Sequence, residues 1–219
     1  MHLLAHRGYH AHSPENTLDA FAAALRLGFE GIETDVRVSA DHEAVLFHNR
    51  VAANGEPVAA LTRKQLSDVC GYTVPTLTEA LHAFPHTYWN IEIKTPAAAS
   101  LAIPLLSHYE DSHRLLVTSF RHEVVQSAAE QLSVECGYLN AHRPAAINSL
   151  LHAALPRPNL RTLVWDCEIV DPDILLQANA LGFRNIVYGA KTAYEHQLMR
   201  EFGVHAIITD YPEHVGLLA

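Results

Sequence analysis

Seven residues with chemistry to offer fall in three short patches, A-H-R-G at 5–8, I-E-T-D-V at 32–36 with F-H at 47–48, and N-I-E-I-K at 90–94, with a fourth patch, P-E-N-T at 14–17, between the first two. They are His6, His48, Glu33, Asp35, Glu92, Arg7 and Lys94. By residue type this is what cleavage of a phosphodiester needs: an acid–base pair, cations for phosphate oxygens, and carboxylates for a metal ion. Glu33 and Asp35 stand two apart on an expected strand, so both carboxylates point to one side. Glu92, on the next strand of a barrel, brings a third. Among apolar neighbours these charges repel unless protonated or bridged by a cation. An all-oxygen donor set suits one Mg²⁺ or Ca²⁺ far better than zinc. The competing explanation is ordinary ion pairing, Glu92 with Lys94 and Glu33 with an arginine.

A charge count favours the ion. Glu33, Asp35 and Glu92 sum to −3, and Arg7 and Lys94 return +2, leaving −1 to face an anionic substrate. A divalent cation turns that to +1. Arg7 offers a planar fork for phosphate oxygens and Lys94 a point charge. His6 and His48, each at a strand end beside such residues, form a candidate pair of proton donor and acceptor. In P-E-N-T, Pro14 bends the chain, and Asn16 or Thr17 is placed to cap the following helix. Glu15 takes a supporting place at the substrate, as a partner that holds Arg7 or a ligand.

These patches need a scaffold that brings distant segments together. Strands are expected at 2–6, 31–37, 89–93, 115–119, 134–138, 161–165, 184–188 and 205–209, with helices between them from 17–27 to 192–202. Thr62-x-x-Gln65 and Thr76-x-x-Glu79 have the capping-box form, and Asp171-Pro172 opens another helix. Eight such alternations favour a closed (β/α)8 TIM barrel, an α/β fold, over a doubly wound sheet. No linker interrupts 1–219, which reads as a single barrel domain. One segment breaks the rhythm: after 31–37, the run Ala44–His48 follows too soon for a helical crossover. It is expected to fold back as a short β-hairpin arm after strand 2. Counting from a turn near 40–43 sets His48 opposite Asp35.

Bulk properties bound the function. The chain is 49% apolar and 18% charged, which permits a large core and argues against disorder. A net charge of −9 without a basic cluster argues against a nucleic-acid partner. No apolar run is long enough for an integral membrane segment, and no secretory signal is visible. Cys70, Cys136 and Cys167 are odd in number and widely spaced, as in a cytoplasmic protein with free thiols. The oligomeric state is not legible.

The ordered patches resemble the signature of the glycerophosphodiester phosphodiesterase family. Lesser matches run through V-P-T-L-T-E-A-L at 74–81, T-S-F at 118–120, G-V-H-A-I-I-T-D at 203–210 and on to Pro212-Glu213, so the likeness spans nearly the whole chain. What it implies is a barrel with its site at the carboxyl ends of the strands. Metal ligands fall on Glu33, Asp35 and Glu92, catalytic histidines on His6 and His48, and phosphate contacts on Arg7 and Lys94. The implied substrate is a small glycerophosphodiester. A neighbouring glycerol hydroxyl attacks phosphorus, and water opens the resulting cyclic phosphate. Three departures stand out. His48-Asn49 replaces the usual His-Asp, and 49–75 is shorter than in many relatives. Tyr188-Gly189-Ala190-Lys191 replaces a Trp-Thr-Val-Asn pattern. Tyr188, and Trp165 on the preceding strand, are aromatic candidates for packing against the glycerol or head group. The alternatives are a lysophospholipid-cleaving phosphodiesterase, or a non-catalytic phosphate-binding barrel. A glycosidase carboxylate pair would leave the histidines, Arg7 and Lys94 without a role.

Overall fold

The computed structural model describes residues 1–154 and 156–218. Its strands are β1 (His2–His6), β2 (Gly31–Val38), β3 (Ala44–Leu46), β4 (Tyr88–Ile93), β5 (Arg114–Ser119), β6 (Glu135–Asn140), β7 (Leu160–Asp166), β8 (Arg184–Tyr188) and β9 (Ala206–Thr209). Its helices are α1 (Leu18–Leu27), α2 (Arg63–Cys70), α3 (Leu77–Ala83), α4 (Pro96–Leu106), α5 (His122–Gln131), α6 (Asn148–Ala154), α7 (Pro172–Ala180) and α8 (Ala193–Glu201). All strands but β3 run parallel, and β1 pairs with both β2 and β9, which closes an eight-stranded barrel. Every expected barrel strand is present within two residues of its expected ends. Among the described residues beyond β9 lies a 3-10 turn, Pro212–Val215. Among the described residues, no helix is long and apolar enough to cross a membrane.

Alternation along each strand sorts side chains between two cores. Leu4, Tyr88, Leu116, Leu139, Val164, Ile186, Ala206 and Ile208 fill the barrel interior. Their neighbours in sequence, such as Trp89, Val117, Leu163, Trp165 and Ile207, pack outward against the helices. The parity corrects one expectation: Trp165 is fully buried, and its Nε1 donates to Asn185 Oδ1 at 2.8 Å. It belongs to the helix-facing core. Tyr188 has the opposite parity and lines the central cleft.

Local sequence sets the helix starts. The Thr62–Gln65 and Thr76–Glu79 capping boxes both form, and Asp171 caps α7 with Pro172 at its first turn. Thr17 caps α1 by accepting from the Ala20 amide. Asn16 takes no part in that cap.

The hairpin arm forms, one residue out of the expected register. Val38 pairs with Ala44 and Val36 with Leu46, and the Phe47 amide donates to the Asp35 carbonyl at 3.0 Å. Phe47, not His48, therefore stands opposite Asp35. The loop is five residues long rather than four. Ser39 N and Oγ bond the Glu43 carbonyl and amide, and His42 absorbs the extra residue at φ 59°. Regular pairing stops at Leu46, so His48 is free of strand alternation. Arg37 holds it instead, donating from Nε and Nη2 to the His48 carbonyl at 2.9 and 2.7 Å. The segment beyond is anchored by a separate apolar cluster of Val45, Ala52, Val58, Leu61, Leu66 and Val74.

Candidate active site

At the carboxyl end of the barrel the inward positions change from apolar to polar. His6 on β1, Glu33 on β2, Asn90 and Glu92 on β4 and Thr118 on β5 continue the rows begun by the interior core. With Arg7, Lys94 and His48 they line a cleft of about 250 Å³, whose opposite wall is Phe120, Leu139, Tyr188 and Ile208. Phe120 and Tyr188 meet edge to face, with ring centres 5.9 Å apart. One half of the cleft is charged and the other apolar.

The backbone after β1 is shaped for this purpose. Gly8 adopts φ 80°, and a Cβ there would lie 2.7 Å from the Ala20 carbonyl carbon, so no other residue lets the loop pack on α1. Arg7 and Asn16 also have positive φ, 58° and 57°. Strain of this kind in a non-glycine residue is held only by surrounding structure. The Arg7 amide donates to the Glu33 carbonyl at 2.9 Å, and the Asn16 amide to the Arg7 carbonyl at 2.9 Å. Arg7 Nη1 then meets Glu15 Oε2 at 2.9 Å, and Nε lies 3.3 Å from Asp35 Oδ2. Glu15 thus holds Arg7. Asn16 Nδ2 donates to Asp35 Oδ2 at 2.9 Å, and Asn16 Oδ1 accepts from Thr34 Oγ1 at 2.7 Å. Of the two residues expected as the helix cap, Thr17 takes that place and Asn16 orients a carboxylate.

Glu33, Asp35 and Glu92 are all buried, and each offers an oxygen within 4.8 Å of the others. Lys94 Nζ sits between two of them, 2.7 Å from Asp35 Oδ1 and 2.7 Å from Glu92 Oε1. Lys94 is thus engaged by carboxylates, and the Glu92–Lys94 ion pair exists alongside the trio. The three carboxyls differ in the direction in which their surroundings move them. Burial, then repulsion from Asp35 and Glu92, pushes Glu33 well above the usual carboxylate range. Burial also raises Glu92. Burial opposes ionisation of Asp35 too, but Lys94 and Arg7 outweigh it and hold Asp35 below its ordinary value. Buried carboxylates in mutual repulsion, gathered within 4.8 Å with oxygen donors only, fit a hard divalent cation. Glu33, Asp35 and Glu92 are the residues that would hold it.

The histidines have unlike surroundings. His6 Nε2 lies 3.9 Å from Glu33 Oε2, while Nδ1 lies 3.0 Å from both oxygens of Asp210, just past β9. His10 Nε2 reaches Asp210 Oδ1 at 3.0 Å from the other side. His48 Nδ1 is 3.1 Å from Asn49 Oδ1. Burial depresses the His48 imidazole below its ordinary value, with Arg7 and Lys94 adding to this and Asp35 opposing it. Asn90 Oδ1 accepts from Thr118 Oγ1 at 2.8 Å, which fixes the amide, while buried Nδ2 has no partner among the described residues. Sequence reasoning missed Arg37, Asn90, Asp210 and His10. Parity would have found Asp210, since it continues the Ala206–Ile208 row as Asp35 continues that of Glu33.

Residues 6–214 match the Glycerophosphoryl diester phosphodiesterase family. A probable glycerophosphodiester phosphodiesterase 2 of Mycobacterium tuberculosis is 30% identical over 219 residues, 96% of this chain and 80% of its own length. A glycerophosphodiester phosphodiesterase of Caldanaerobacter subterraneus is 26% identical, with 96% and 94% covered. The solved Oleispira antarctica phosphodiesterase, in complex with the product sn-glycerol-3-phosphate, superposes with a TM-score of 0.83 at 22% identity, covering 99% of this chain and 95% of that one. The chain belongs to the glycerophosphoryl diester phosphodiesterase family, and is by that membership a phosphodiesterase.

Proposed function

We propose that this enzyme hydrolyses small glycerophosphodiesters, such as glycerophosphocholine or glycerophosphoethanolamine, to glycerol 3-phosphate and the free alcohol. The observation that carries the reading is the meeting of His6 and His48 on one cleft with Glu33, Asp35 and Glu92. The product held by the Oleispira protein supports the substrate class. Glu33, Asp35 and Glu92 would hold one Mg²⁺ or Ca²⁺, which would supply stabilisation of negative charge developing on the phosphate. Arg7, fixed by Glu15, is placed to fork two phosphate oxygens, and Asn90 Nδ2 offers a further buried donor. Lys94 balances Asp35 and Glu92. One imidazole removes the proton of a glycerol hydroxyl as its oxygen bonds to phosphorus. The other protonates the alcohol oxygen as its bond to phosphorus breaks. Water then opens the cyclic phosphate with the two imidazoles in exchanged roles. Tyr188 and Phe120 close the apolar side. The free thiols of Cys70, Cys136 and Cys167 support a cytoplasmic setting.

The test is release of choline and glycerol 3-phosphate from glycerophosphocholine, with and without EDTA. Chelation is expected to abolish release, and either cation to restore it. Full turnover in chelated protein removes the metal from the reading, and no release with either cation overturns the reading itself. A second reading, cleavage of lysophospholipids, is favoured by the groove of Phe47, Val51, Cys70 and Tyr72 beside Asn49. Choline release from lysophosphatidylcholine at a comparable rate would select it.

A further inference from the structure

The barrel's first and last strands lie side by side, with Ala5 paired to Thr209, so the residues just past those positions meet at the mouth. His6 and Asp210 are those residues. The carboxylate is an acceptor only, and its hydrogen bonds from His6 and His10 hold Asp210 below the ordinary carboxylate range, against the effect of burial. It therefore accepts a hydrogen bond from a His6 ring that keeps its proton on Nδ1, and leaves Nε2 turned to the cleft and Glu33. The turn that carries Asp210 is itself pinned. Buried His196 on α8 contacts the Thr192 carbonyl through Nδ1 at 2.7 Å and Thr209 Oγ1 through Nε2 at 2.7 Å. Thr209 Oγ1 in turn accepts the Tyr211 amide at 3.0 Å. Thus α8 fixes Thr209, Thr209 fixes the turn, and the turn fixes the carboxylate.

We propose that Asp210 is the positioning residue of His6, with His10 as the brace that holds its carboxylate in line. Asp210 sets which ring nitrogen of His6 carries the proton and keeps the other aimed at the reacting phosphate. His10 shares oxygen Oδ1 and stops the carboxylate from rotating away. The arrangement follows the logic of an aspartate that orients a catalytic imidazole without itself taking the proton. The inference rests on His6 acting in acid–base catalysis as proposed above.

The experiment combines kinetics with a nitrogen-15 spectrum of the His6 ring. In the wild-type protein, above the imidazole titration range, His6 is expected as the Nδ1-protonated tautomer. An Nε2-protonated ring overturns the proposal with no variant needed. Asp210→Asn is expected to lower kcat about 10²–10³-fold, change KM by less than about threefold, and mix the two tautomers. His10→Ala, which leaves the carboxylate in place, is expected to lose less than about tenfold. In a His6→Ala background, Asp210→Asn should cost nothing further, because the pair acts as a unit. An equal loss in that background, or wild-type kcat with an unchanged tautomer in Asp210→Asn, overturns it. Full activity of His6→Ala alone sinks the catalytic reading instead, while the spectrum still reports on the pairing.

Discussion

The two histidines of the cleft are built by opposite means. His6 ends a strand hydrogen-bonded on both sides, and its ring rests on a carboxylate that His10 also holds. His48 lies two residues past the end of a three-residue arm, its carbonyl clamped by Arg37 and its ring beside the neutral amide of Asn49. The difference teaches that two like groups lining one cleft can be given unlike supports, one a carboxylate and one a neutral amide. Beside the amide, His48 is left to burial and the nearby cations, which favour its uncharged ring.

The comparison breaks most visibly if either ring is removed. His6→Ala and His48→Ala are each expected to cut turnover about 10²–10⁴-fold, measured as choline release. A near-normal rate in one variant would assign both proton transfers to the other. Arg37→Met separates the supports more finely. It should lower kcat roughly 10–100-fold by releasing the His48 backbone, while the His6 ring signals stay put. A wild-type rate would mean that the arm holds His48 without the clamp.

Asn49→Asp sharpens the contrast with the smallest effect. A carboxylate at that place is expected to raise the His48 pKa in metal-free protein, followed by ring-proton chemical shifts. The sign also shows in stability. The folded value in the wild type lies below the ordinary 6.5, so the His48 contribution is complete above that pH. It is lost as pH falls from there through the folded value. Asn49→Asp should shrink that acid-side loss, and an unchanged or steeper loss would show that Asn49 does not govern the ring.

Much of this was legible because a strand repeats every two residues. The spacing of Glu33 and Asp35, and the apolar rows around them, already place both carboxylates inside a barrel. The same rule, applied to Trp165 and Ile208, would have sent the first outward and brought Asp210 in. What the period does not carry is the length of a loop. Five residues rather than four between β2 and β3 moved Phe47 to the place expected for His48, in a loop tied by Ser39 to Glu43 and turned at the left-handed His42. Asn16 and Thr17 were equally placed to cap α1, and Thr17 does so. The actual partner of Asn16, Asp35, lies on β2. His10 and Asp210 are separated by 200 positions, and no local pattern links them.

Closing the ring through β1 and β9 has a consequence for how the molecule comes into being. During synthesis the histidine of the first strand leaves the ribosome long before its aspartate partner. A nascent chain that stops short of Ala206 leaves two naked sheet edges, on β1 and β8, each able to pair with a neighbouring chain. Premature termination should therefore yield insoluble protein rather than a weakened enzyme.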